Sequence, residues 1–473
     1  MTSQLTTIAR APKTHAFDRP PAQVELAGPA AAGRAPAAAA LSPHIVVVGG
    51  GAGGLVLATR LGDRLGRRGH ARITLVDGAL NHVWKPLLHE VAAGTLSADV
   101  DGLDYFAHAR AHHFAFELGR MCGLDRARRE IVLDPVSDRG GAVLVPGRRL
   151  GYDVLVIAVG SVLNDFGVPG VREHALHLDS PAQAERIHQR ILGRFLHGHA
   201  AAAGAAGRRL RFAIVGAGAT GVEFAAELRH AARQLASYGL SGSDPDREVE
   251  ICLIEAARRV LPALPERLQT ATERALQGLG VELRTGAQVE RVTAEGVHIQ
   301  GGELIPSDLV VWTAGVKGPA WLADLEGLEV NRLNQLVVDQ SLKVTRDDHV
   351  FALGDCAACS RPGSERPVPP RAQAAYQQAH LLAKSLARRL AGKELLPFVD
   401  RDYGSLISHS SSTIGNLMGN LFRSITIEGR IARLAYLSLY KKHQMALHGL
   451  RWVTLTALAN LLHRRTRPHF KLH

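Results

Sequence analysis

IVVVGGGAGG, Ile45 to Gly54, is the stretch whose reading decides the fold. Four apolar residues, Ile45 to Val48, read as a buried parallel strand, and LVLATRLGDRL after the glycines reads as a helix. Between them glycine stands at Gly49, Gly51 and Gly54, the G-x-G-x-x-G spacing. The first glycine allows a tight turn, the second lets backbone approach a pyrophosphate, and the third lets helix and strand pack closely with helix amides facing the phosphates. A glycine triplet alone is weak evidence. Here a second strand, Arg72 to Val76, follows and ends on Asp77, where a carboxylate can accept hydrogen bonds from ribose hydroxyls. The stretch therefore predicts a nucleotide site.

The pattern then returns. LRFAIVGAGATG, Leu210 to Gly221, is a second strand and glycine turn (Gly216, Gly218, Gly221) opening the helix VEFAAELRHAARQL. Its next strand, VEICLIE, ends on Glu255, and DLVVWTAG (Asp308 to Gly315) echoes YDVLVIAVG, which closes the first unit at Gly160. A matched pair of such units predicts two dinucleotide-binding domains. SYGLSGSDPDR, Ser237 to Arg247, reads as a surface insertion that lengthens the second unit. Two sites in one chain imply a division of labour, one holding a flavin and the other a nicotinamide cofactor that delivers hydride to it. Glu255 favours NADH, since a carboxylate repels a 2′-phosphate; Arg258 and Arg259 keep NADPH open, although they read more readily as solvated helix charges.

In FALGDC, Phe351 to Cys356, an apolar strand ends on Gly354 and Asp355, with AACS read as a helix start. Asp355 is placed either to bind a flavin's sugar-like chain or simply to cap that helix. Cys356 and Cys359 form an isolated C-x-x-C with no second pair or nearby ligand histidines, so no zinc or other metal is expected; no dithiol relay is expected either, because the segment after Asp77 that would present one, NHVWKPLLHEVAAG, contains no cysteine. Four cysteines in 473 residues make no disulfide framework.

Composition narrows the classes. A 46% hydrophobic content fits globular domains, and 5% aromatic content argues against base-stacking platforms, so no nucleic-acid partner is expected. The net charge of +12 is concentrated at one end: no acidic residue follows Glu428, whereas nine Lys and Arg do, from Arg430 to Lys471. From Gly429 the pattern predicts two short amphipathic helices, the second Leu450 to Leu462. About 14 helical residues span roughly 21 Å, short of the ~30 Å hydrocarbon core. With about 1 kcal/mol per cation at an anionic leaflet, the tail reads as a membrane-surface anchor, the rival being a hairpin packed on the body or on a second subunit. No transmembrane helix or signal peptide is expected, and residues 1–43, rich in Ala and Pro, read as a disordered extension.

Several segments together carry a family resemblance: HVWKPLLHEVAAG (His82 to Gly94), GSVLNDFGVPG (Gly160 to Gly170), GAGATGVEFAAEL (Gly216 to Leu228), VWTAGVKG (Val311 to Gly318), GDCA (Gly354 to Ala357) and VPPRAQAAYQQA (Val368 to Ala379). In this combination the chain from about Pro43 onward resembles the type II NADH dehydrogenases, single-chain NADH:quinone oxidoreductases of bacterial membranes that pump no protons. The resemblance implies an α/β flavoprotein of glutathione-reductase type, with two Rossmann-like domains and a C-terminal amphipathic helical membrane-attachment region. It divides the chain into 44–170 and 338–400 for FAD, 171–337 for NADH, and 401–473 for the membrane. Implied FAD contacts are Gly49, Gly51, Gly54, Asp77, Lys85, Gly160 and Asp355; Gly216, Gly218, Gly221, Glu223 and Glu255 fall to NADH, with Glu223 by the reacting rings. A-Q-x-A-x-Q, matched by Ala372 to Gln377, implies that Gln373 and Gln377 adjoin the quinone, although spacing alone reads them as a solvent-facing stripe. Location at the cytoplasmic face of the bacterial inner membrane is likewise implied, and homodimerisation stays open. The rival readings are a soluble flavin reductase of the same fold, which has no use for a basic apolar tail, and an NADH-sensing protein without turnover.

Overall fold

The computed structural model describes residues 42–428, apart from 99–101, 139, 203–208, 240–244, 362–366, 402–403, 410–411 and 420–421, together with 444, 445, 447, 454 and 455. Two five-stranded parallel sheets organise it, and each is centred on a glycine-turn strand. In the first, His44–Val48 lies between Arg72–Asp77 and Val154–Ile157, with Ala115–Leu118 and Val350–Ala352 at the edges. In the second, Leu210–Val215 lies between Val249–Glu255 and Leu309–Trp312, with Val281–Thr285 and Ala175–His177 at the edges. The central strands are apolar on both faces because both are covered, in the second unit by helices on one side and by a three-stranded antiparallel sheet on the other, which is why they read as unbroken hydrophobic runs rather than alternating ones.

The edge strand at 350–352 returns the chain to the first sheet after the second is complete, and this return brings Gly354 and Asp355 beside the first glycine turn. Two-residue strands, Val162–Leu163 and Val316–Lys317, pair antiparallel where the chain leaves and re-enters. The short helix Leu88–Ala93 belongs by sequence to the first unit, yet Leu88, Val91, Ala92 and Ala93 are buried in the core of the second, against helices Pro181–Ala202 and Ala219–Ser237. Close packing of this kind fixes one unit against the other.

Two readings need correction. AACS is not a helix start: after a single 3₁₀ turn at Gly354–Cys356, Ala357–Cys359 is a strand pairing in parallel with Leu336–Val338. A short, fully buried apolar run satisfies either element, and the partner strand decides. The helix whose N-terminus faces the site is Ala372–Leu390, packed on the first glycine-turn helix, Gly54–Arg64. Nor is the region from 401 helical at its start: Gly404–His409, Ser412–Gly419 and Phe422–Glu428 form an antiparallel sheet, the first two strands lying against Ala219–Ser237 and Glu266–Gly278 respectively. Each unit also carries a three-stranded antiparallel sheet that the sequence reading did not resolve. The extension at 1–41, most of the predicted tail helices and residues 240–244 of the insertion lie outside the described residues. Within the tail, Gln444, Met445, Leu447, Thr454 and Leu455 are helical, and Leu447 is buried in the first core.

Candidate functional site

A cavity of about 1520 Å³ is lined at one end by the first glycine turn and at the other by the second, through Gly218, Ala219, Thr220 and Glu223. The two turns are built alike. Gly49 has φ +102° and a Cβ there would stand 2.4 Å from the Ala158 carbonyl oxygen; at Gly54 it would stand 1.8 Å from the Gly49 carbonyl oxygen. Gly216 (φ +101°) and Gly221, whose Cβ would stand 1.9 Å from the Gly216 carbonyl oxygen, repeat the arrangement. The chain itself therefore requires the outer glycines. It does not require the middle ones: a Cβ on Gly51 or Gly218 would meet no atom within 4 Å. Both open onto the cavity, so what their missing side chains make room for is a ligand, as a dinucleotide pyrophosphate demands.

The acids at the strand ends are equally matched. Asp77 Oδ2 accepts from the Gly50 amide at 2.6 Å and Oδ1 from that of Ala79 at 2.8 Å. Glu255 Oε2 accepts from the Ala217 amide at 2.7 Å and Oε1 from that of Ala257 at 2.8 Å. Each acid thus braces its glycine turn and keeps lone pairs for a ribose. Burial pushes the Asp77 carboxyl up, and the Gly50 and Ala79 amides pull it partly back. Arg259 is turned to Thr270 and Glu266, while Arg258 is exposed.

Gly354 and Asp355 are held from several sides. Ser161 Oγ donates to Asp355 Oδ2 (2.9 Å), and Lys85 Nζ donates to the Ser161 carbonyl (2.9 Å) beside Gly160, so Lys85, Gly160 and Asp355 meet. Gln335 Nε2 donates to the Asp355 carbonyl (2.9 Å), and Gln378 Oε1 accepts from the Gly354 amide (2.7 Å). Sequence reasoning missed Ser161, Gln335 and Gln378. For Gln378 a signal was present: with Ala374 and Leu382 at four-residue spacing it falls on the buried face of its helix. Gln378→Leu strips the Gly354 amide of its acceptor, a loss of about 1–3 kcal/mol. Thermal melting should show a lower midpoint and earlier flavin release, and a wild-type melt would refute the bracing role.

Gln373 and Gln377 are half-buried at the cavity wall rather than a solvent stripe. The Gln377 carboxamide clasps the main chain of Arg401, donating to its carbonyl at 2.8 Å and accepting from its amide at 3.1 Å. Beyond it Tyr376, His380, Leu381 and Phe398 continue the wall, the first two rings 4.3 Å apart. Burial pushes the Cys356 and Cys359 thiols up to about 12 and about 11, so neither is a thiolate at neutral pH.

The family model described as pyridine nucleotide-disulphide oxidoreductase matches residues 43–379. A type II NADH:quinone oxidoreductase of Haemophilus influenzae is 42% identical over 444 residues, which is 91% of this chain and 100% of that protein. The chain belongs to the type II NADH:quinone oxidoreductases. A Staphylococcus aureus protein of the same description is 29% identical over 371 residues, 78% of this chain and 87% of that protein. The solved structure of NDH2 from Plasmodium falciparum in complex with NADH superimposes with a TM-score of 0.75 at 18% identity, covering 91% of this chain and 100% of that one. The last agreement is one of fold. For a type II NADH:quinone oxidoreductase, two cradles opening on one cavity are what a flavin and a nicotinamide need in order to meet.

Proposed function

We propose that this chain oxidises NADH and reduces a membrane quinone, with FAD resident over the first glycine turn, NADH entering over the second, and no protons carried across the membrane. The observation that carries the reading is the single cavity joining two open middle glycines, Gly51 and Gly218, past the buried carboxylate of Glu223. Bound FAD supplies the acceptor for a hydride from NADH and the donor of electrons to the quinone. The chain supplies position. Gly49, Gly51 and Gly54 admit the flavin's pyrophosphate, Asp77 its ribose, and Lys85, Gly160 and Asp355 the rest of its length. Gly216, Gly218, Gly221 and Glu255 do the same for NADH. Glu223 presents its carboxylate where positive charge develops on the nicotinamide, and the apolar wall around it excludes water. Gln373 and Gln377 border the region where quinone carbonyls need amide donors.

The test is optical. The purified protein should be yellow, bleach when NADH is added without oxygen, and recover its colour with a short-chain quinone. Absence of bleaching would sink the reading, and bleaching without recovery would give the acceptor role to something other than quinone.

Among the described residues no helix is long and apolar enough to cross a membrane. Peripheral attachment at the cytoplasmic face through the basic tail is supported by its charge and by the lipid-soluble acceptor. Deleting Gly449–His473 should abolish sedimentation with phosphatidylglycerol vesicles while leaving NADH oxidation by a soluble dye intact, because Leu447, the tail's buried anchor, is kept. Continued sedimentation would place the anchor elsewhere.

A further inference from the structure

His89 stands behind the cavity wall rather than on it. Its side chain is 3% exposed, on the short helix from the first unit, while Glu223, 7% exposed, lines the cavity from the second unit's glycine-turn helix. Nδ1 lies 3.6 Å from Glu223 Oε2, so an imidazole of one unit backs a carboxylate of the other. The burial of Leu88, Val91, Ala92 and Ala93 in the second core keeps that helix from sliding along its neighbour.

The surroundings decide which ring nitrogen carries the proton. Burial pushes the His89 pKa down to about 4, against a hydrogen bond to the Pro86 carbonyl, so the ring is neutral at pH 7 and holds one N–H. A lone pair on Nδ1 would face the buried Glu223 carboxylate, a repulsive arrangement where water is scarce. Nε2 lies 4.0 Å from Glu90 Oε1, on a side chain 31% exposed. Repulsion at Nδ1 works against the tautomer that carries the proton on Nε2.

We propose that His89 is a positioning residue for Glu223: its Nδ1–H dipole keeps that carboxylate ionised and turned to the cavity. The proposal rests on the reading that Glu223 serves NADH oxidation. Other titratable groups on the packed elements are Glu90 on the same helix, Lys85 on the preceding turn, Glu227 further along the helix of Glu223, and His188, buried on the Pro181–Ala202 helix. All are common to every variant below, so differences between variants isolate position 89.

Three substitutions separate dipole from volume. His89→Asn places a donor near the position of Nδ1, His89→Gln places it near Nε2, and His89→Leu removes it. The readouts, on the flavin-loaded protein, are the pH dependence of kcat/KM for NADH with a water-soluble short-chain quinone and that of NAD⁺ binding by equilibrium fluorescence. The Leu and Gln variants should move the acid limb of both profiles up by about one pH unit, a tenfold loss on that limb, because a carboxylate without its donor protonates more readily. The Asn variant should keep the wild-type limb. Identical limbs for Leu, Gln and wild type overturn the proposal, and should His89→Leu not fold, the contrast between Asn and Gln carries the decision. Glu223→Gln separates the two levels. A limb that it abolishes but His89→Leu leaves in place refutes the role of His89 alone, whereas a limb that survives it removes Glu223 from the reaction, and His89 with it.

Discussion

Gly218→Val should give a folded, yellow protein whose KM for NADH is raised about a hundredfold, equivalent to roughly 2.7 kcal/mol of binding. Gly218 has φ −69° and ψ −176°, a conformation open to valine, and a Cβ there would touch no atom of the chain within 4 Å. The added isopropyl group would instead fill the space through which a pyrophosphate must pass to reach the helix amides. Flavin content and melting temperature should match wild type, because the first turn is untouched. The neighbouring Gly221→Ala makes the contrast: its Cβ would stand 1.9 Å from the Gly216 carbonyl oxygen, so it should lower the melting temperature instead. An unchanged KM in Gly218→Val would mean that NADH does not lie over this turn.

Asp355→Ala should be purified nearly colourless, its flavin occupancy falling roughly tenfold or more, a loss of about 1.4 kcal/mol or greater. The carboxylate joins the hydroxyl of Ser161, and through it Lys85, to the turn that faces the cavity. Without it Ser161 loses the acceptor that orients its hydroxyl toward Lys85, and the flavin loses a carboxylate along its polar chain. Asp355→Asn, which keeps an acceptor oxygen but no charge, should retain an intermediate amount. Flavin absorbance per protein after desalting measures all three, and full occupancy in the alanine variant would show that Asp355 serves only to hold Ser161.

The quinone-side residues show where a motif stops being informative. Gln373 and Gln377 are spaced to share a helix face, and that spacing alone describes a solvated stripe as well as a binding wall. The folded chain supplies what spacing lacks: Pro397, Phe398 and Arg401 return across this face and enclose it, with the Gln377 carboxamide bound to the Arg401 main chain. The buried partner Gln378 went unread because polar residues next to a motif are ordinarily assigned to solvent, and only the Gly354 amide opposite explains its burial.

By itself the sequence determined the two glycine turns, the strands before them, the acids that end the following strands and the duplication. These are requirements of backbone conformation, hydrophobic period and helix packing, and within each unit they are satisfied over a short stretch of chain, His44 to Asp77 in the first and Leu210 to Glu255 in the second. Tertiary structure alone decided that Val350–Ala352 closes the first sheet, that AACS is a strand, that residues 404–428 form a sheet against the second unit, and that His89 reaches Glu223. Except for AACS, whose partner strand Leu336–Val338 precedes it by 21 residues, those outcomes depend on partners more than a hundred residues away. An apolar run of three or four residues fits several elements equally well, and what chooses among them is which distant surface buries it and which distant amide or carboxylate it can satisfy.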